Sequence, residues 1–245
     1  MVDFIFLIIL HLIGDFYLQT SKIAQCKNSK QRSECIDCQG CKVDSWINLK
    51  YLMIHSFVYV VPFVMLYFIV DSIGQLKVTI IILLLLIIHG CIDLGACFFY
   101  KKKKQTMVFL IDQFLHIVPL WCIYYFIPFQ CNLSSYTFVI KIIFMGLTLI
   151  MPCSVLINKL FEDIYPETVT MDIFDIGSVI GIMERILTII FSCFGNFAAI
   201  AIIITVKTWA RTNDLKETEF RNKYLLGTLT SLVLSLLIFL VYKSI

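Results

Sequence analysis

Residues 77–129 read KVTIIILLLLIIHGCIDLGACFFYKKKKQTMVFLIDQFLHIVPLWCIYYFIPF. Two apolar runs flank the lysines Lys101 to Lys104, and each is long enough to cross a hydrocarbon layer about 30 Å thick as a helix. The first run carries His89 and Asp93, the second Asp112 and His116. A spacing of four places both side chains of a pair on one helix face, one turn apart. An ionisable group left in hydrocarbon costs about 3 kcal/mol. Two His–Asp pairs in adjacent spans therefore call for mutual burial inside a helical bundle.

The same signature recurs upstream. His11 and Asp15 share the apolar run 2–19, and His55 stands alone in 48–70, so all four histidines lie in candidate spans. The pairs described above occupy 77–100 and 106–129. Further apolar runs are 137–160, 223–242 and a long stretch at 178–210. No strand-like alternation recurs, and no internal repeat stands out. The expected fold is all-α: a polytopic transmembrane helical bundle of six or seven spans. Residues 1–130 are expected to form a four-helix membrane core carrying a cysteine-rich loop at 20–47, and 131–245 the C-terminal membrane helices.

Composition points the same way. Of 245 residues, 60% are hydrophobic and 15% charged, with a mean hydropathy of +0.90. Soluble domains lie nearer half apolar and a quarter charged. The net charge of +3 is small and its basic residues are local clusters, so membrane lipid is the expected partner and nucleic acid is not. The run 2–19 lacks a basic leader, and Ser21-Lys22-Ile23-Ala24 is a poor cleavage site. It reads as a retained span rather than a signal peptide.

Short loops rich in lysine and arginine face the cytoplasm. Loop 20–47 carries Lys22, Lys27, Lys30, Arg32 and Lys42, and loop 101–105 the tetralysine, whereas the loop between them has only Lys77 at its edge. The N-terminus is therefore expected outside and both basic loops in the cytoplasm. The cluster Lys207, Arg211, Lys216, Arg221 and Lys223 breaks strict alternation. Either 178–210 is a broken hairpin turning near Gly195-Asn196, with both ends cytoplasmic, or the rule is violated there.

Counted from the cytoplasmic ends, Asp15, His55, Asp93 and Asp112 lie about five to seven residues in, roughly 10 Å at helical rise. His11, His89 and His116 lie one turn further. Helices running up and down thus bring their polar groups to a common level, in two layers. Imidazoles and carboxylates converging from facing helices are a donor set for a divalent metal, here zinc, manganese or magnesium. The expected ligands are His11, Asp15, His89, Asp93, Asp112 and His116, with His55 a ligand or general base. Gln113, like Gln19, flanks a motif and would orient ligands or contact substrate, the alternative being a hydrogen bond between helices. Two competing readings are a relay of cations or protons in a transporter, and a non-catalytic protein whose His–Asp pairs only hold helices together. The outer halves of the first four spans are almost purely apolar, which argues against a continuous cation path.

At these residues the chain resembles a family of bacterial integral-membrane proteins known as domain of unknown function 3307. The pattern is H-x-x-x-D-F-x-L-Q, a lone H, H-x-x-x-D, and D-Q-x-x-H. Here it is met by His11 to Asp15 with Phe16, Leu18 and Gln19, by His55, by His89 with Asp93, and by Asp112-Gln113 with His116, over about residues 4–128. A second block resembles a C-terminal extension of some members: Ile180-Gly181 with Glu184-Arg185, then Lys207 and Arg211, then Tyr224, Gly227, Thr228 and Ser231. Two departures fall at a basic contact near the site and at one C-terminal ion pair. Ala96 stands where members often carry lysine, and Lys223 where an acidic residue often precedes the tyrosine. The family is distantly similar to bacterial membrane proteins described, by inference, as metal-dependent hydrolases. The resemblance thus implies a bacterial inner membrane and hydrolysis of an ester or phosphoester in a lipid or other amphiphile.

Two constellations stand apart. Cys26, Cys35, Cys38 and Cys41 crowd loop 20–47. In a reducing cytosol they read as a loop zinc site, with an iron–sulfur cluster or unliganded thiols as the alternatives. Glu184 and Arg185 sit in an apolar helix and need partners on other helices. They are expected to tie the C-terminal helices to the core, the alternative being contact of Arg185 with a substrate phosphate. No phosphate loop, nucleophile elbow or dinucleotide fingerprint is present.

Overall fold

Proline and glycine decide where these apolar helices tighten, turn and touch. The computed structural model describes residues 1–20, 23, 46–70, 73–99, 104–127, 133–166 and 176–244. Helix α1 spans Val2–Leu12 and runs into a π turn at Ile13–Tyr17; α2 spans Trp46–Val60 and continues through a 3₁₀ stretch, Val61–Met65, to a last turn at Leu66–Ile69. Then follow α3 Gln75–Phe99, α4 Gln105–Phe126, α5 Thr137–Ile164, α6 Ile176–Cys193, α7 Phe197–Ala210 and α8 Thr218–Ser244. Pro62 has no N–H to give, and the ladder of α2 tightens around it. After α1 the Leu18 N–H reaches back to the Ile13 carbonyl at 2.9 Å, a turn one residue wider than the α ladder.

The fold is the all-α, membrane-type bundle expected from the sequence. Among the described residues, six helices are long and apolar enough to cross a membrane: 49–69, α3, α4, α5, α6 and α8. Together they are compatible with an integral membrane protein. The first expected span is shorter than its apolar run of 2–19, because regular helix stops at Leu12 and the π turn at Tyr17. The stretch 178–210 is two helices and not one. Gly195 takes the left-handed backbone (φ 67°) that favours glycine, and Asn196 caps α7 by accepting from the Ala199 N–H at 3.3 Å. Glu184 and Lys207, almost equally far from that turn, meet at 2.6 Å. The stretch therefore folds back on itself, turning at Gly195-Asn196.

The chain divides into two compact units, Met1–Phe144 and Met145–Ile245. In the first, α1 lies antiparallel to α4. The Met1 ammonium donates to the Tyr124 hydroxyl at 3.0 Å, and the ring pairs Phe4–Tyr124 and Phe16–Phe109 lie at 5.6 and 6.1 Å. An apolar core joins Leu7 and Leu10 of α1, Tyr59, Phe63 and Leu66 of the α2 segment, Val78, Ile81 and Leu85 of α3, and Leu120 of α4. The outward faces of these helices expose Met53, Phe57, Leu83, Ile87, Phe114 and Leu115. Such faces suit acyl chains rather than water. Burial on one side and hydrocarbon on the other fix each helix's rotation.

Gly14, inside the π turn, lies so close to α2 that a Cβ there would collide with the Tyr59 carbonyl. The obstacle is backbone and cannot swing aside. Gly14→Ala is expected to destabilise the first unit by about 1–3 kcal/mol, the usual range for overpacking. Gly146→Ala, where a Cβ meets nothing within 4 Å, should be neutral or slightly stabilising. Thermal unfolding of both variants in detergent checks this, and equal behaviour would contradict the tight crossing.

Candidate metal centre

Each of the first four helices presents one stripe at spacing four, half apolar and half polar. The stripes are Leu7–His11–Asp15, His55–Tyr59–Phe63, Leu85–His89–Asp93 and Asp112–His116–Leu120. Their apolar ends enter the core, and the polar ends are forced together beside it. All four imidazoles are at most 2% exposed, and the three carboxylates at most 8%.

The two expected layers are visible in the contacts. In one, His55 Nε2 lies 3.1 Å from Asp15 Oδ1 and 3.3 Å from Asp93 Oδ2. The Gln113 amide donates to Asp15 Oδ2 at 3.0 Å and Asp112 Oδ2 at 3.3 Å, tying α4 to the π turn. In the other layer His116 lies against His89 and His11, with ring centroids 4.5 and 5.6 Å apart. Between layers, His89 Nε2 is 3.6 Å from Asp93 Oδ2, and His116 Nε2 is 3.9 Å from Asp93 Oδ1.

The imidazoles are set up unequally. His116 Nδ1 lies 2.8 Å from the Asp112 carbonyl oxygen, which can only accept. That nitrogen therefore carries a proton, and in the neutral ring Nε2 offers its lone pair toward Asp93, the usual posture of a ligating histidine. His89 has neither nitrogen hydrogen-bonded and is held instead by stacking on Tyr59, centroids 3.7 Å apart and planes 3° from parallel. His11 Nδ1, His55 Nδ1 and His116 Nε2 also lack hydrogen-bond partners. Buried polar atoms are seldom left so.

Donor spacing fits an ion. Ligands at about 2.1 Å from a tetrahedral metal stand roughly 3.4 Å from one another, and three donor pairs here are 3.1, 3.3 and 3.6 Å apart. Two groups, Asp15–His55–His89 and His89–Asp93–His116, each place one donor atom per residue within 4.8 Å of the others, and each could hold a metal. His11 belongs to neither group; its Nε2 lies 3.3 Å from the Gln113 side-chain oxygen. Sequence reasoning missed Tyr59, although its position four residues after His55 puts it on the same face. Cys26, Cys35, Cys38 and Cys41 lie outside the described residues, as do Lys101 to Lys103.

A family profile, "Protein of unknown function (DUF3307)", matches residues 4–144. The chain belongs to this family. No curated protein and no solved structure matches it. The DUF3307 match ends where the first compact unit ends, and it contains every residue of the His/Asp cluster.

In the second unit the residues of the C-terminal block gather among themselves. Glu184 pairs with Lys207, which also donates to Thr228 Oγ1 at 3.4 Å and sits 5.3 Å from the Tyr224 ring centre. Arg185, 3% exposed, donates to the Leu149 carbonyl at 2.9 Å, to Ser154 Oγ at 2.6 Å and to Ser231 Oγ at 3.4 Å. The Leu149 carbonyl lies within a turn of Pro152, where a helix ladder is interrupted. The expected cross-helix partners are thus found, but the ion pair joins α6 to α7 within this unit and does not tie it to the first. Lys223, at the family departure, pairs with Glu219 at 2.5 Å. Glu184→Gln and Lys207→Met should each lower stability, and the double variant should recover part of the loss. A double-mutant cycle by detergent unfolding is expected to give a coupling of about 0.5–3 kcal/mol; strict additivity would contradict the pairing.

Proposed function

We propose that the first unit is a divalent-metal hydrolase acting on an ester or phosphoester in a lipid or other amphiphile. The observation that carries this reading is the set of buried imidazole nitrogens without hydrogen-bond partners, gathered around carboxylate oxygens at ligand spacing. A cluster that served only to hold helices together would use those nitrogens for hydrogen bonds. In this reading Asp15, His55, His89, Asp93 and His116 are ligands. Gln113 and Asp112 orient Asp15 and His116. His55, with Nε2 between Asp15 and Asp93, is a ligand rather than the general base. His11, outside both donor groups, becomes the imidazole left to accept a proton.

A divalent ion in this set would acidify a bound water toward neutrality, and zinc, manganese and magnesium all do such work. Water gives one proton to His11, its oxygen bonds to the phosphorus or carbonyl carbon, and the ester C–O or P–O bond breaks. The alcohol leaves with the returned proton. The aliphatic outer faces of α2, α3 and α4 favour a substrate that arrives laterally from the bilayer. The resemblance to metal-dependent hydrolases expected from the sequence motifs favours this reaction class and a bacterial inner membrane, and the basic loops favour a cytoplasmic-leaflet site with the N-terminus outside.

Elemental analysis of the detergent-purified chain tests the reading. His89→Ala or Asp93→Ala should abolish bound metal with expression largely intact. Gln113→Leu should keep the ion but weaken it about 10–100-fold, the usual cost of removing a group that orients a ligand. Replacing the four loop cysteines by serine should leave this pool of metal unchanged. Unaltered metal content in His89→Ala would sink the proposal.

A further inference from the structure

Resting on the metal reading above, we infer that the centre is dinuclear, with Asp93 bridging two divalent ions. The two oxygens of this carboxylate face different partners. Oδ2 lies 3.3 Å from His55 Nε2 and 3.6 Å from His89 Nε2, whereas Oδ1 lies 3.9 Å from His116 Nε2. A carboxylate serving a single ion offers it one oxygen, or turns both toward the same point. One whose oxygens address separate donors, on α2 and α3 at one side and α4 at the other, is shaped to bridge.

Counting donors leads to the same place. Asp15 Oδ1, His55 Nε2, Asp93 Oδ2 and His89 Nε2 follow one another at 3.1, 3.3 and 3.6 Å, and these four donors would suffice for one tetrahedral ion. His116 Nε2 is then left over, buried, without a hydrogen-bond partner and aimed at the second oxygen of Asp93. Its tautomer is fixed by the proton that Nδ1 gives to the Asp112 carbonyl, so the lone pair of the neutral ring points to this place. The donors fall into two adjoining groups, Asp15–His55–His89 and His89–Asp93–His116.

The two positions differ in kind. The first is closed by protein ligands. The second would be held by Asp93 Oδ1 and His116 Nε2, 3.9 Å apart, with further positions for water and a substrate oxygen. Paired ions about 3.5–4 Å apart hold both the attacking and the leaving oxygen of a phosphoester. Such a pair suits the two oxygens of a phosphoester displacement, which favours phosphoesters within the proposed ester class.

The test is a titration of the full chain, purified in detergent and stripped with a chelator, with Mn(II), an ion that oxygen and nitrogen donors hold in preference to the thiolates of the cysteine loop. Bound metal and the electron paramagnetic resonance signal are followed together. The first equivalent should give the hyperfine-split signal of an isolated ion, and the second should collapse it into a broad exchange-coupled spectrum, with saturation at two per chain. His116→Ala should stop at one equivalent and keep the isolated signal. Wild type that saturates at one equivalent, or at two without coupling, overturns the dinuclear inference and leaves the metal reading standing. Wild type that retains no Mn(II) and no Zn(II) overturns the metal reading itself. Should His116→Ala not fold, the wild-type titration decides alone.

Discussion

Seven ionisable side chains have to be buried inside a bundle whose outer faces suit hydrocarbon, and the first unit is organised by that necessity. No single helix can shelter His11, Asp15, His55, His89, Asp93, Asp112 and His116 from lipid, because each helix turns only one stripe inward. Four stripes must therefore face one another at the same height. The apolar half of each stripe supplies the core, with Leu7, Phe63, Leu85 and Leu120 continuing the rows on which the polar residues sit. Close approach is made possible by Gly14, which lets the π turn bearing Asp15 press on the backbone of α2. Wide turns of this kind cluster at functional sites in helices.

Much of this was legible because helical periodicity makes membrane sequences readable. A four-residue spacing of His and Asp fixes a face, and the distance from each basic loop fixes a depth. Contacts such as His11–His116 and His55–Asp93 answer to those two rules alone. What stayed illegible depended on partners rather than on spacing. Tyr59 reads as an ordinary aromatic core residue, and its stacking on His89 depends on how α2 crosses α3. The setting of His55 has the same origin: its helix carries no aspartate at spacing four, and only the crossing geometry sets it between Asp15 and Asp93. The π turn had no sequence signal beyond Gly14. At 178–210 the sequence left two topologies open, and Gly195 with the Asn196 cap turns the chain back on itself.

The two units divide the polar residues by type. The first holds imidazoles and carboxylates, with several imidazole nitrogens buried and without hydrogen-bond partners. The second holds Glu184, Arg185 and Lys207 in contacts with each other's helices, with serine and threonine hydroxyls and with a carbonyl. Those contacts explain why so many charges are tolerated in apolar helices without assigning them to chemistry. The family match covers the first unit, where the proposed reaction resides.

The account rests on imidazole nitrogens and carboxylate oxygens of four helices sharing a metal. X-ray absorption at the K-edge of the ion retained by the purified chain, with the four loop cysteines replaced by serine, reads that directly. A nearest shell of nitrogen and oxygen at about 2.1 Å, with the outer-shell scattering of several imidazoles, is the predicted result. A shell of water oxygens without imidazole scattering would contradict the account.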